Sequence, residues 1–364
     1  MNSLILRAAD ESAVPAGAAL AVDRTRFSAY ITDAIKAHPK ITVVQREITA
    51  LPPLDEISVT ATGPLTSAPY ADALQKAFGM DALHFFDAAA PLVTFDSVDM
   101  DSAYFASRYD KGTPDYINCP MTREEYLTFW QELVKAEEAE VHGFEDGGVF
   151  EGCMPVEVMA RRGEDTLRFG PLKPRGLIDP KTGREPYAVV QLRRDNADGT
   201  IYNLVGFQTN LKFPEQKRVF SLIPGLENAE FVRYGVMHRN SFINSPKLLN
   251  ADFSMRSRPE IFFGGQITGV EGYMESAASG IIAGINAVRK MNGQSPLILP
   301  RETMIGGLSA YISDKTVTNF QPMGANMGVL PDIGVRIKDK QARYQAVADR
   351  ALEAFDNYIS ENKD

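Results

Sequence analysis

The sequence predicts an α/β protein: a doubly wound, dinucleotide-type sheet interrupted by an inserted α+β region. Two glycine-bearing strand ends and one change of texture predict it. DEISVTATGP reads as a hydrophobic strand that exits through Gly63-Pro64. EIFFGGQITGVEGY reads as a strand running into a glycine-rich turn, and SAASGIIAGINAVRK as the helix that follows, rich in small residues. Between them, from about Ala89 to Asn250, strand-like runs alternate with Gly and Pro turns. The expected division is 1–88, 89–250 and 251–364. The first and third segments form the dinucleotide-type domain and the second is the insertion.

Each element has a local reason. Ser3 to Ser12 reads as a helix with Leu4, Ile5 and Ala8 along one side, without a capping signal ahead of it. ALAVDR reads as a short strand, and Arg26 to Ala37 as a helix. ITVVQREI, rich in β-branched residues, reads as a good strand. In TREEYLTFWQELVKAEEAE the residues Tyr126, Phe129, Trp130 and Leu133 recur at helical spacing and are assigned to the core. EPYAVVQLRR and TIYNLVGFQTNL read as strands of the insertion. The tail from Arg336 to Lys363 reads as a charged helix packing through Tyr344, Val347, Ala351, Leu352 and Phe355.

A chain of 364 residues with 44% hydrophobic and 23% charged residues has room for a sizeable buried core. No apolar run approaches the roughly 20 residues of a membrane span, and no signal-peptide shape opens the chain. A cytoplasmic protein is the expectation. Two cysteines, Cys119 and Cys153, make neither a disulfide framework nor a zinc site, so no metal is expected. Net charge is -9, which excludes a uniformly basic nucleic-acid binder. From Val158 to Arg194, however, nine basic residues face four acidic ones. That reversal marks either an anionic partner or a solvated face.

The two glycine turns carry the ligand chemistry. Gly63 lets backbone approach a ligand and Pro64 fixes the turn. An ATG at a strand end is common in flavoproteins, and also occurs as an ordinary strand exit. The GGQITGVEGY turn opens a helix whose free N–H groups and positive dipole end suit an electron-rich group, such as the pyrimidine edge of a flavin. Cofactor-binding candidates are Thr62, Gly63, Pro64, Gly265, Gln266, Gly269, Glu271, Gly272 and Tyr273.

Several segments together resemble the bacterial folate- and FAD-dependent tRNA uracil-5-methyltransferases. They include VPAGAALAVDR, ATGPLTS, RYDKG, YINCPMT, FEGCMPVEVMARRG, FGPLKPRGL, GFQTNLK, IPGLENAEFVRYGVMHRN and GQITGVEGYMESAASG, in the family's order and over nearly the whole chain. The resemblance implies a glutathione-reductase-type FAD-binding domain carrying the insertion. It implies FAD, methylenetetrahydrofolate and tRNA as cofactor, donor and acceptor, with NAD(P)H as reductant. Family members open with a GxGxxG unit and carry a second cysteine in a CSN-type motif. Neither occurs in these 364 residues. The expectation is therefore a domain lacking its first βαβ unit, with weak or no FAD retention.

Uracil carbon-5 is a poor nucleophile until a thiolate adds to carbon-6, so the reaction needs a reactive cysteine. Cys153 is the candidate. It lies in a Gly-Cys-Met-Pro turn just before the basic run, and the resemblance places the family's nucleophile in this EGCMP motif. Cys119 is read as a structural thiol. His238 and Arg239, in GVMHRN, are candidates for holding folate or RNA. So are Arg108, Tyr109 and Lys111 in RYDKG, for folate's glutamate tail or RNA phosphates. Arg161, Arg162, Lys173 and Arg175 are candidates for an RNA surface. Three readings compete. One is a uridine methyltransferase acting on the tRNA T-loop or, within the same family, on ribosomal RNA. Another is a non-catalytic RNA- or partner-binding fragment, and the last a flavoprotein oxidoreductase without RNA chemistry.

Overall fold

The computed structural model describes residues 3–17, 19–78, 83–140, 154–318 and 320–362, with backbone alone at 78, 83–87, 238 and 239. The chain forms two compact units. One comprises Met1–Gln45 and Phe86–His238, the other Arg46–Phe85 and Arg239–Asp364.

The first unit is built on a six-stranded antiparallel sheet. Its order is Phe231–Arg233, Leu92–Thr94, Ile201–Leu204, Ala188–Arg194, Tyr116–Met121, Tyr104–Ala106. The central strand Ala188–Arg194 begins with five buried residues in a row. It is covered on both faces, and so reads as a continuous apolar run rather than an alternation.

The helix Arg123–Lys135 lies against this core. Thr122 and Glu125 start it with a reciprocal capping box. Tyr126, Phe129 and Leu133 are fully buried, as their spacing requires. Each such side chain contributes about 1.5–3 kcal/mol of burial. Trp130 is only partly buried, and its indole N–H donates to the Ala160 carbonyl at 3.0 Å.

Residues 1–45 group with the inserted region, not with the segments expected to complete the FAD-type domain. Polar anchors explain this. Asp23 caps the helix Arg24–Ala37 and also accepts from the Ala197 N–H at 3.1 Å. Arg24 pairs with Asp195, and the Gly17 N–H donates to Asp115 at 2.8 Å. The first helix, Leu4–Glu11, is capped after all, because the Ser3 hydroxyl accepts from the Leu6 N–H.

The expected strand ITVVQREI does not form. Residues 41–49 carry no strand, and Ile41, Val43, Val44 and Ile48 are exposed. β-branched composition supplies a preference, but a strand also needs a neighbour to bond. Among the described residues this segment has none in a sheet.

The second unit centres on a parallel pair. Ser58–Thr60 lies beside Ile261–Phe263, with Ser58 opposite Ile261 and Thr60 opposite Phe263. The helix Tyr273–Met291 packs on this pair. A Cβ on Gly264 would lie 3.0 Å from the Gly280 Cα, so two glycines permit the crossing. Asn286, buried in the same helix, donates to the carbonyls of Asp252 and Leu297. The tail forms the helix Lys340–Glu361, but only Val347 of its expected packing face is fully buried. Among the described residues no helix is long and apolar enough to cross a membrane.

Candidate functional site

The parallel register brings the two glycine turns together. Thr60 and Phe263 end adjacent strands at the same level, so Ala61-Thr62-Gly63-Pro64 and Gly264-Gly265-Gln266 leave side by side. The Gly264 N–H donates to the Thr60 carbonyl at 3.0 Å and closes the pair. The carboxyl ends of parallel strands are where α/β sheets hold nucleotide ligands.

Each turn is held by local hydrogen bonds. The Thr66 hydroxyl donates to the Gly63 carbonyl at 2.9 Å and lies 2.7 Å from the Thr62 hydroxyl. The Pro64 carbonyl accepts from the Ser241 N–H. In the second turn the Gly265 N–H donates to the buried Ser279 hydroxyl at 2.8 Å, and the Thr268 hydroxyl donates back to the Gly265 carbonyl. The Gln266 amide donates to both oxygens of Glu271 at 2.9 Å. Tyr273, the first helical residue, is 95% exposed, and no side chain caps the helix at Gly272.

Gly265 and Gly269 are glycine for different reasons. Gly265 has φ +77 and ψ -163, a region that only glycine adopts readily, yet a Cβ there meets nothing within 4 Å. Gly269 is left-handed, and a Cβ there would lie 2.5 Å from the Phe320 ring. The space beside Gly265 and the partly exposed ATGP turn fit a large planar ligand such as the flavin.

The segment 320–325, which carries no ligand signal in the sequence, braces this turn. The Met323 N–H donates to Gly269 and its carbonyl accepts from the Glu271 N–H, both at 2.9 Å. The Ala325 N–H donates to Glu275 at 3.1 Å. The two Met323 bonds are backbone contacts, so residue type alone did not announce them. Met323 also lines an open cleft of about 300 Å³ with Arg301, Tyr311, Asp314 and Asn326.

In the first unit, Cys153 lies outside the described residues. Its flanks do not. The Val156 N–H donates to the Gln208 carbonyl at 2.7 Å. Glu157, fully buried, accepts from the Asn210 N–H at 2.6 Å and from the Thr209 hydroxyl at 2.8 Å. Burial pushes its carboxyl above the usual carboxylate range, against those hydrogen bonds. Asn210 also exchanges backbone and amide bonds with Ala139. The strip 208–212 thus holds chain on both sides of residues 141–153. Cys119 is completely buried and its thiol is pushed up to about 12, which fits a structural role.

The basic run is largely engaged inside its unit. Arg161 pairs with Glu138, Arg168 pairs with Asp165 and lies over the Tyr187 ring, and Arg175 is 3.5 Å from Glu185. Arg162, Lys173 and Lys111 are exposed. Arg108 is half-buried and donates to the Arg175 carbonyl and to Gln191, each at 2.8 Å. His238 and Arg239 lie in the strand Met237–Phe242, with side chains outside the description.

Residues 1–295 match the family described as Glucose inhibited division protein A. A relative from Acetivibrio thermocellus, named methylenetetrahydrofolate-tRNA-(uracil-5-)-methyltransferase TrmFO, is 59% identical over 99% of this chain and 82% of its own length. Relatives of the same name from Lactiplantibacillus plantarum and Staphylococcus aureus are 58% and 56% identical, with 79% and 82% of their lengths covered. The crystal structure of Aquifex aeolicus GidA superposes with a TM-score of 0.63 over 84% of this chain and 56% of that one. At 16% identity that likeness speaks to the fold alone. Fold and identity agree, and the chain belongs to the TrmFO methyltransferases of the GidA family.

Proposed function

We propose that the protein methylates carbon-5 of a T-loop uridine in tRNA, taking the carbon from methylenetetrahydrofolate and using FAD. The observation that carries this reading is the pair of glycine turns at adjacent parallel strand ends, in a chain of this family.

Thr62, Gly63, Pro64 and the 265–273 turn would hold the flavin, with backbone approaching closely at Gly265. Gln266 and Glu271 keep that turn in shape through their double hydrogen bond.

The Cys153 thiolate adds to carbon-6 of the uracil. Carbon-5 then attacks the methylene carbon of the folate, and loss of the carbon-5 proton and of tetrahydrofolate leaves an exocyclic methylene. FAD held at the glycine turns and reduced by NAD(P)H would supply the hydride that turns the exocyclic methylene into methyl as the Cys153 thiolate leaves. The strip 208–212 fixes the chain flanking Cys153, with Glu157 as its buried anchor. Arg162, Lys173 and Lys111 offer charge to RNA phosphates, and His238 and Arg239 are assigned to folate or RNA. With tRNA as substrate, the working compartment is the cytoplasm.

Trapping on tRNA that contains 5-fluorouridine tests the nucleophile. The wild type and Cys119→Ala form a covalent adduct, and Cys153→Ala forms none. An adduct that survives in Cys153→Ala moves the nucleophile elsewhere.

A further inference from the structure

Tyr109 stands out in the first unit for a conformation its residue type resists. Its φ is 58 and ψ 26, and Asp110 beside it has φ 52, so two successive non-glycine residues are left-handed. An aromatic side chain gains nothing from this region, and such strain persists only where its surroundings hold it.

The surroundings hold it from one side. The Tyr109 N–H donates to the Gly176 carbonyl at 2.7 Å. The phenol ring rests on Gly176 itself: a Cβ there would lie 2.7–2.8 Å from three ring carbons. Gly176 is in turn fixed by a bond from its N–H to Glu185 at 2.8 Å. Arg108 binds the Arg175 carbonyl and Gln191, and the Gln191 amide donates to Asn118 at 2.8 Å. Asn118 lies fully buried in the strand Tyr116–Met121. The ring is thus tied to the sheet through a short chain of hydrogen bonds, while Tyr109 remains 62% exposed.

Around the ring basic residues outnumber acidic ones. Arg108–Lys111 and 171–186 together contain six basic and three acidic residues, in a chain of net charge -9. Arg175, exposed although its guanidinium lies 3.5 Å from Glu185, belongs to the loop on which the ring rests. A rigid, half-covered aromatic ring with cations beside it matches what an unpaired base and its phosphates require. The base stacks on the ring, and the cations meet the backbone.

We propose that Tyr109 is a stacking platform for one unpaired nucleobase of the RNA substrate. Backbone strain and the Gly176 seat hold the ring outward, and Lys111 and Arg175 contact the flanking phosphates. The proposal rests on the reading that this protein acts on tRNA.

Binding of a fluorescently labelled tRNA transcript, measured without folate, tests it. Tyr109→Phe and Tyr109→Trp keep the wild-type affinity within about twofold, because either ring stacks. Tyr109→Gly loses about tenfold, the size of one base-aromatic stack. It does so without a lower melting temperature, because glycine accepts the left-handed backbone. Its salt dependence is unchanged, whereas Arg175→Gln lowers the slope of log affinity against log salt by about one. The Tyr109→Trp variant adds a tryptophan whose fluorescence is quenched by bound RNA. Wild-type affinity in Tyr109→Gly overturns the platform. So does a loss in Tyr109→Phe as large as in Tyr109→Gly, since that assigns the effect to the hydroxyl. A wild-type protein that binds no tRNA overturns the tRNA reading itself, and the platform with it.

Discussion

Two alanine substitutions in one turn separate ligand approach from packing. Gly265 and Gly269 both have positive φ, but only Gly269 lies against a neighbour. Gly265→Ala forces a side chain into backbone space that is essentially glycine's, at about 1–3 kcal/mol. Its Cβ meets no atom within 4 Å, so no packing cost is added. Gly269→Ala costs about 1–2 kcal/mol for the left-handed backbone. It adds about 1–3 kcal/mol of overpacking, because the new Cβ falls 2.5 Å from the Phe320 ring. In a protein of 364 residues each kcal/mol lowers the melting temperature by roughly 1–2 °C.

Thermal unfolding without flavin is therefore expected to rank Gly269→Ala below Gly265→Ala, and both below the wild type. Flavin titration is expected to separate them further. Relative to its mild effect on stability, Gly265→Ala loses the greater share of FAD affinity, because its Cβ enters the space left for the ligand. An unchanged FAD affinity in Gly265→Ala refutes the assignment of that space to the flavin. Equal destabilisation by both substitutions refutes the packing argument.

Glu157 gives a pH prediction. Its folded pKa is raised, so its contribution is fully present below the ordinary value of 4.5 and is lost as pH rises through the folded value. Glu157→Gln keeps an acceptor for the Asn210 N–H and turns an amide N–H toward the Thr209 hydroxyl, without a buried charge. Urea midpoints should show its advantage over the wild type growing as pH rises above 4.5. Glu157→Ala instead leaves the Asn210 N–H without its acceptor, at about 1–3 kcal/mol. Cys119 should resist alkylation in the native protein at pH 8.5, since its thiol sits near 12 and is fully buried. Mass spectrometry of the modified peptide reads this directly.

Where local pattern decides the outcome, the sequence was legible. The buried face of Tyr126, Phe129 and Leu133 follows from helical spacing, and the strand-turn-helix at 261–291 follows from its glycines. Partners distant in sequence were not legible. The run ITVVQREI has strand composition but no neighbour in a sheet among the described residues. The basic run reads as free charge until Glu138 and Glu185 are seen against Arg161 and Arg175. The grouping of residues 1–45 with the inserted region depends on bonds from Asp23 and Arg24 to residues 195–197. The Met323 bonds that brace the turn depend on carbonyls and N–H groups that every residue has. The strain at Tyr109 depends on a glycine in another loop.

The most direct test of the account follows the carbon itself. Methylenetetrahydrofolate labelled in its methylene group is supplied with FAD, NAD(P)H and a tRNA transcript, and the nucleosides are separated after digestion. The account predicts label in 5-methyluridine from the T-loop with the wild-type protein, and none with Cys153→Ala. A wild-type protein that leaves the label in folate, or Cys153→Ala at the wild-type rate, contradicts it.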